Sequence, residues 1–531
     1  MMIASALLSV LTLPLQSTGL DAAHMAVPPA TPNTLTTVEK VWAVNVLSSS
    51  HSMVFLDHGS LIGMVPSGGG LDIWSAFDSL PAAPVWSAPI IDNFNFASSA
   101  EGTDRIMAGS VVIDFPSTST GTLHMFDSTG PEPIWSFPFA PQFLSTPFHR
   151  MSRDGSVVVS MFDADATSIR EIRVHNPDTG AVMRQYDHPI EIWANRFALA
   201  SDGAALAHSR HSGLDTTTVI DVGTGAILFE APGTLPVRGG LSAGGQDVVT
   251  RELEEGVGWH LRVFSRASGS WQTMLEVTTP ESAPPSDMAL SADGRVVAAG
   301  WPVPGEPLQA MFRAYDVAAG ALLMEHVTQP TFGNQDKITG LSVSDDGNRV
   351  AVGKWGAGGQ GPAELIVYDP WADSVVASMA PGGSVLGVRL SADGRRVLAH
   401  RTNVHAQFGY SASWVELWEL PGEDLRVRGT PSLDEQITID VFGTVGHPAL
   451  LLAAAGLAAT PIPASTGGAL LLDPLTLIAV PIGSIAGDGS ATRDLDIPPL
   501  PSLVGLALYL QGATLSPLAL GHTWEKVSIL P

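Results

Sequence analysis

Residues 290–300 read LSADGRVVAAG, which is an apolar strand end, a Ser-x-Asp-Gly turn and a second apolar strand. Asp-Gly between two apolar runs predicts a β-hairpin, because glycine adopts backbone angles that other residues resist. The same pattern recurs along the chain, in five clear copies and two weaker ones. The clear copies are MSRDGSVVVS (151–160), LASDGAALAH (199–208), LSAGGQDVVT (241–250), LSVSDDGNRVAVG (341–353) and LSADGRRVLAH (390–400), and the weaker ones are LSSSHSMVFLD (47–57) and ASSAEGTDRIMAG (97–109).

A second hairpin pattern follows each of these turns after about 20 residues. Two hairpins make four strands, and the eight turns lie about 49 residues apart, which is typical of a four-stranded propeller blade. We therefore expect an all-β fold, with a β-propeller of eight blades over residues 40–428; seven blades or an open solenoid are the alternatives. The clearest copies of the second pattern are VHNPDTGAVMRQY (174–186), VIDVGTGAILFE (219–230), AYDVAAGALLMEH (314–326) and VYDPWADSVVASM (367–379).

These two patterns resemble two propeller families. The Ser-x-Asp-Gly hairpin resembles the WD40-like repeats of exported bacterial proteins, and the Asp-x-x-Thr-Gly hairpin, clearest at Asp221–Gly225, is similar to quinoprotein-like (PQQ-type) repeats. The resemblance implies a fold and no cofactor. The Gly-His and Trp-Asp pair of WD40 proteins is absent, the indole of quinoprotein repeats occurs only as Trp86 and Trp135, and a chain without cysteine cannot form the vicinal disulfide of quinoprotein dehydrogenases.

The repeat pattern ends at Gly429. Residues 429–531 contain apolar segments of five to eight residues divided by proline and glycine, which predicts a separate small β-sandwich. The marks GTPSL (429–433), LLLDP (470–474) and LVGLALYLQG (503–512) resemble a C-terminal module of secreted proteins from large-genome Gram-negative bacteria. In the last repeat we expect a third strand at Trp414–Leu420 and a fourth at Asp424–Arg428, so that the ring closes without an N-terminal strand.

The composition and the N-terminal segment indicate where the protein acts and which partners it can bind. The chain of 531 residues has 26 basic and 52 acidic side chains, a net charge of −26, which argues against nucleic acid because that affinity needs Lys and Arg on phosphates. Residues 1–23 begin with a short apolar run that resembles a signal peptide, and residues 24–39 read as a proline-rich linker. We expect a monomeric secreted, periplasmic or cell-surface protein without a transmembrane segment.

Several local patterns imitate catalytic or metal motifs. Gly240–Gly244 spells G-x-S-x-G, but it occupies a repeat turn and lacks the strand–helix context of a nucleophile elbow. Gly356–Gly361 matches G-x-G-x-x-G, yet a strand follows it. Asp163 with Asp165, and His208 with His211, are too few ligands for a metal. We therefore predict no catalytic centre, metal or cofactor.

The predicted binding face consists of the loops that join the second and third strands of each repeat. These loops appear long and chemically rich in the sequence, and loops on a rigid scaffold commonly carry recognition. An aromatic ring beside a cation, as in Lys354-Trp355, is a common way to hold a sugar or a peptide. The candidate binding residues are Arg210, His211, Arg251, Trp301, Lys354, Trp355, His400, Arg401, His405 and Tyr410.

Three functions remain open from the sequence. The first is a non-catalytic binding or scaffold propeller that holds a glycan, peptide or protein. The second is a carbohydrate-active or other hydrolytic enzyme, which would need two suitably spaced carboxylates; Glu252 and Glu254 are the nearest approach to such a pair. The third is a structural spacer that carries the C-terminal module.

Overall fold

The protein is an all-β structure in the part of the chain that is described, and no α-helix occurs there. The predicted signal peptide and most of the predicted linker lie outside the described residues. Within those residues no helix is long and apolar enough to cross a membrane. In the computed structural model the described residues are 38–46, 52–56, 61–65, 71–75, 84–88, 94–99, 103–114, 118–139, 148–163, 169–189, 192–212, 214–236, 240–267, 269–328, 336–355, 364–371, 373–392, 394–403, 413–420, 425–428, 431–442, 446–463, 469–486, 490–515, 519–520 and 525–529.

Small antiparallel sheets, most of four strands, follow one another along the chain. Sheet 5 has three strands, and Leu241, which would belong to its first strand, forms an isolated bridge with Val248. The strands are, in sheet 1, Ser52–Leu56, Leu61–Val65, Leu71–Ser75 and Trp86–Ala88; in sheet 2, Phe94–Ser99, Ile106–Asp114, Thr118–Phe126 and Trp135–Phe139; in sheet 3, Phe148–Met151, Val158–Asp163, Ile169–His175 and Val182–Pro189; in sheet 4, Ile192–Leu199, Ala205–Ser212, Leu214–Asp221 and Ile227–Pro232; in sheet 5, Asp247–Glu254, Gly258–Ala267 and Ser270–Thr279; in sheet 6, Asp287–Leu290, Val296–Val303, Glu306–Asp316 and Ala321–Val327; in sheet 7, Ile338–Val343, Val350–Lys354, Leu365–Asp369 and Ser374–Met379.

Sheet 8 combines strands from two distant parts of the chain. Its first three strands are Val385–Leu390, Arg396–Thr402 and Ser413–Glu419, and its fourth is Glu39–Val46, which pairs antiparallel with the third. The expected third strand is thus confirmed. The expectation of a fourth strand at 424–428, with no N-terminal strand, was wrong, because Leu425–Arg428 pairs with a later part of the chain instead.

The recurring turn is held by its own side chains. In sheet 6, Ser291 Oγ donates to Asp293 Oδ1 at 2.6 Å and accepts from the Val296 amide at 2.9 Å, while the Arg295 amide donates to Asp293 Oδ1 at 3.0 Å. Gly294 has a φ of 74°, in the left-handed region that favours glycine. The motif therefore has a structural role: it satisfies the backbone of a tight turn.

Each of the eight sheets packs on the next through a buried apolar cluster. The clusters join sheets 1 and 2, then 2 and 3, and so on to 7 and 8, and a further cluster joins sheet 8 back to sheet 1. In this last cluster Trp42 of the N-terminal strand lies with Met53 of sheet 1 and Leu398 of sheet 8. The sheets therefore follow one another in a cyclic order.

The Ser-x-Asp-Gly turns of neighbouring sheets are also hydrogen-bonded to each other. The series begins with the Arg153 amide, which donates to the Ser201 carbonyl at 2.8 Å, and continues from sheet 4 to sheet 8. Arg153 of sheet 3 also forms an ion pair with Asp345, which belongs to the turn of sheet 7. The turns therefore gather at one end of the sheets.

The C-terminal strands form further sheets. Cluster residues such as Val427 and Ile439 of the first sheet pack against Leu451 and Leu510 of the second. A 3-10 turn lies at Pro501–Leu503. The first sheet contains Leu425–Arg428, Gln436–Phe442 and Ser490–Asp496; the second contains Pro448–Ala454, Ile478–Ser484, Ala507–Thr514, Ala519–Leu520 and Glu525–Ser528; Leu457–Pro463 and Ala469–Leu472 form a separate pair.

Candidate functional site

A cavity of about 450 Å³ lies at the ends of sheets 5, 6 and 7. Its residues come from the ends of second strands, the starts of third strands and the connections between sheets, so it is at the end opposite the Ser-x-Asp-Gly turns. A volume of this size is in the usual range of small-molecule sites. The lining consists of Arg251, Trp259, Pro284, Pro285, Ser286, Pro302, Ala310, Asp336, Lys337, Ile338 and Trp355.

On the sheet 5 side, a cation lies against an indole ring. The Arg251 guanidinium carbon is 5.8 Å from the centre of the Trp259 ring, and Arg251 Nη1 donates to the Pro285 carbonyl. Trp259 is itself oriented by its Nε1–H, which donates to the Glu281 carbonyl at 3.1 Å. Burial lowers the pKa of Arg251, and the nearby Asp287 opposes this shift. The guanidinium is therefore held in place and partly removed from water.

On the sheet 7 side, a second cation lies against a second indole. Lys337 Nζ is 5.5 Å from the centre of the Trp355 ring, and the Trp355 amide donates to the Lys337 carbonyl at 3.0 Å. Lys337 is exposed and Trp355 is half-buried. The cavity thus has two pairs of the same type, each with a flat apolar face and a positive charge.

The negative charge in the cavity wall is already compensated. Asp336 Oδ2 accepts from Lys354 Nζ at 3.1 Å, and both side chains are almost entirely buried. Asp336 Oδ1 also accepts from the Lys337 amide at 2.9 Å. Arg251 and Lys337 are therefore the two cations of the lining that no other lining residue pairs. The carboxylates of Asp215 and Asp287, which lie near Arg251, are outside the lining.

Glu364 lies beside this ion pair, directly across the hairpin from Lys354. The Lys354 amide donates to the Glu364 carbonyl at 2.9 Å. The Glu364 side chain is buried, and its Oε2 has no hydrogen-bond partner. Burial raises the pKa of the Glu364 carboxyl, while the Gly382 amide, Lys354 and Arg401 oppose that shift.

Replacing Glu364 with glutamine should change how stability depends on pH. Because its pKa is raised in the folded state, the folded protein binds this proton more tightly than the unfolded chain, and ionisation destabilises the parent as pH rises. We expect the stability of Glu364→Gln relative to the parent to increase as the pH rises above about 4, where the carboxyl group of the unfolded chain ionises. Urea denaturation at several pH values measures the free energy of unfolding of the parent and the variant. Glu255→Gln, which changes an exposed residue, is the control. If the free energy of unfolding changed with pH in the same way in all three proteins, the prediction would be contradicted.

Two of the ten predicted site residues, Arg251 and Trp355, line the cavity. Trp301 and His400 are buried within the second strands of sheets 6 and 8, so they are not placed to meet a ligand at a surface. Lys354 is buried in its ion pair with Asp336. For these three residues the prediction of a surface position was wrong, because the strands extend further and bury more of their ends than the sequence indicated.

Arg401 has a structural partner. Its Nε donates to Glu416 Oε1 at 2.9 Å, and its guanidinium lies 4.3 Å from the centre of the Trp414 ring. Glu416 also accepts from Lys40 Nζ at 3.0 Å, so one buried carboxylate links the second, third and N-terminal strands of sheet 8.

The other four predicted residues are not described at the side-chain level. Arg210 and His211 lie in the second strand of sheet 4, opposite Thr216 and Asp215, and nothing more is described of them. His405 and Tyr410 lie outside the described residues. These four positions remain predictions.

The loops of the predicted binding face differ in length from expectation. Long connections between second and third strands occur in sheets 7 and 8, after Lys354 and Thr402. In sheets 4, 5 and 6 the same connections are short turns, after Ser212, Glu254 and Val303. The prediction of long loops throughout was therefore wrong, since hairpin pairing continues to the ends of these strands.

The imitated motifs have structural explanations where they are described. Ser242 of the G-x-S-x-G match is buried and its Oγ accepts from the Asp247 amide at 2.9 Å. Glu252 forms an ion pair with Arg262, and Glu254 lies 3.1 Å from His260 Nε2. Among the described residues no group of three metal-ligating side chains occurs. Asp165 and the Gly356–Gly361 segment lie outside the described residues.

Most of the residues that line the cavity were not predicted from the sequence. Lys337 and the pair Pro284-Pro285 were not predicted, because they lie in connections between repeats. Trp259 was also not predicted, although it lies at the start of the third strand of sheet 5. The connections between repeats emerge at the same end of the sheets, and a Pro-Pro pair within one of them was the available signal. No protein-family model and no curated protein matches this chain.

Proposed function

We propose that the eight sheets are the blades of an eight-bladed β-propeller, followed by a small C-terminal β-sandwich. The cyclic order of the apolar clusters supports eight blades over seven, because the last cluster packs sheet 8 on sheet 1. The mixed origin of sheet 8 supports a ring closed by the N-terminal strand. The two packed C-terminal sheets support the sandwich.

We also propose that the blades are WD40-like and quinoprotein-like repeats and that the protein acts outside the cytoplasm, as a secreted, periplasmic or cell-surface protein. The Ser-x-Asp-Gly turns support the first part. The apolar segment at residues 1–23 and the marks of the C-terminal module support the second.

The function we propose is non-catalytic binding of a small ligand in the cavity between blades 5, 6 and 7. The observation that carries this proposal is the pairing of Arg251 with Trp259 and of Lys337 with Trp355 around one cavity. The hydrogen-bonded turns and the Arg153–Asp345 ion pair, which joins sheets 3 and 7, occupy the opposite end of the sheets. A ligand therefore has its best access at the cavity end.

A hydrolytic function has less support. Asp336 is the one carboxylate residue among the described residues that line the cavity, and its Oδ2 is engaged by Lys354. Glycoside hydrolysis in its usual form needs two carboxyl groups facing the substrate. Binding without turnover fits the side chains better.

Replacing Trp355 with alanine should lower the affinity for the ligand by at least about tenfold. An aromatic anchor at a binding hot spot contributes about 2 kcal/mol or more, and about 1.4 kcal/mol corresponds to one decade of affinity. The full chain is first screened on glycan and peptide arrays, and the affinity of a hit is then measured for the parent and the variant by calorimetry.

Trp371 is a matched control for this test. Trp371 is exposed, and the Arg295 guanidinium lies 4.8 Å from the centre of its ring. It belongs to the same blade as Trp355, but it lies at the opposite end, in the turn between the third and fourth strands. Trp371→Ala should leave the affinity unchanged. Loss of binding in Trp371→Ala with none in Trp355→Ala would refute the proposed site.

A further inference from the structure

We propose that the cavity recognises a carboxylate-bearing sugar, a uronic-acid unit, by packing the sugar ring on an indole and the carboxylate against Arg251 and Lys337. This inference rests on the proposed binding function and adds the chemical class of the ligand. It follows from charge, from the shape of the lining and from the balance of hydrogen-bonding groups.

The charge of the lining favours an anion. Asp336 is neutralised by Lys354, and Lys337 is an exposed cation of the lining. Arg251 is a second cation of the lining, and the carboxylates near it, Asp215 and Asp287, do not line the cavity. The Arg251 guanidinium is partly desolvated, and one hydrogen bond to the Pro285 carbonyl fixes its plane. A guanidinium held in this way matches the two oxygens of a carboxylate.

The apolar part of the lining favours a flat ring. Trp259 and Trp355 provide indole faces, and Pro284, Pro285 and Pro302 provide rigid walls. The C–H face of a pyranose packs on such surfaces, while its hydroxyls need polar groups. Ser286 Oγ, which donates to the Gly300 carbonyl at 3.1 Å, can still accept from a hydroxyl.

The dimensions argue against a peptide as the ligand. A polyproline-type peptide would also favour indole and proline surfaces, but it extends by about 3 Å per residue and needs a long open groove. The site is a single cavity of about 450 Å³, which suits one or two sugar rings.

The experiment compares digalacturonate with its methyl ester, using the full chain and calorimetry at low and high salt. The two probes share every ring and differ in charge. We expect the acid to bind at least about tenfold more tightly than the ester, because a hydrogen bond to a charged group contributes more than a neutral one. The advantage should shrink as the salt concentration rises. Equal affinity for the two probes would overturn the inference, and so would binding of benzoate without binding of the uronate.

The variant Lys337→Met provides a second readout without disturbing a buried group. This variant should lower the affinity for the acid by about fivefold and change the affinity for the ester by less than about twofold. Arg295→Met removes the matching cation from Trp371 at the opposite end and should change neither affinity. An equal loss for acid and ester in Lys337→Met would contradict charge recognition.

The two proposals fail in different ways. If the uronate does not bind but another ligand does, and that ligand is lost in Trp355→Ala, the cavity remains the site and the ligand class is wrong. If a ligand binds with the same affinity to the parent and to Trp355→Ala, the proposed site itself is wrong.

Discussion

Replacing Lys354 with methionine is expected to lower the free energy of unfolding by about 3–5 kcal/mol. Lys354 and Asp336 form an ion pair whose side chains are 3% and 1% exposed. Removal of one partner from such a pair leaves an uncompensated buried charge, which is strongly destabilising. Chemical denaturation followed by tryptophan fluorescence measures the loss.

Two comparisons separate this effect from lost packing. The double variant Lys354→Met with Asp336→Asn removes both charges and should recover most of the loss, because the penalty arises from the unpaired carboxylate. The loss in the single variant should also shrink in acid, where Asp336 takes up a proton. A loss below about 1 kcal/mol, as for an exposed pair, would show that the two groups are not buried together.

Replacing Trp301 with alanine is expected to lower the free energy of unfolding by about 3–5 kcal/mol, as for other large-to-small changes in a core. Trp301 is fully buried in the cluster that joins sheets 5 and 6, together with Leu261 and Met311. The same denaturation measurement applies. Trp301→Phe keeps most of the apolar volume and should lower the free energy of unfolding by less than Trp301→Ala.

Trp355 provides the contrast for this prediction. It is half-buried at the cavity, so Trp355→Ala should lower the free energy of unfolding by less than Trp301→Ala does, while it weakens ligand binding. If Trp301→Ala were the mild variant and Trp355→Ala the severe one, the assignment of Trp301 to the core and Trp355 to the site would be reversed.

Local sequence signals predicted the hairpins of the fold and missed its closure. A Ser-x-Asp-Gly turn needs only adjacent residues, and the described copies, such as Ser291–Gly294, have the expected geometry. The strand Glu39–Val46 has no turn linking it to its partner. Its pairing brings together residues such as Lys40 and Glu416, which are 376 positions apart, and no local pattern records such a contact.

The site was predicted in part for a similar reason. The position of the loops between second and third strands predicted cations and indoles at one end of the repeats, and two of those residues, Arg251 and Trp355, line the cavity there. Lys354 is the last residue of its strand and its side chain is buried, whereas Trp355 follows the strand and is half-buried, so of the two only Trp355 lines the cavity. The burial of Lys354 involves Asp336, which lies in the connection before the first strand of sheet 7 and is outside the repeat pattern.

The pairing of Glu39–Val46 with Ser413–Glu419 also has a consequence for biogenesis. The strand made early in synthesis must wait for a partner made more than 360 residues later. At about 5–20 residues per second this delay lasts on the order of tens of seconds. During that time Trp42 and the face of sheet 1 that includes Met53 lack their neighbours from sheet 8. A chain that emerges from its N-terminus onwards therefore exposes this apolar surface until its last repeat is complete. It needs protection from aggregation throughout that interval.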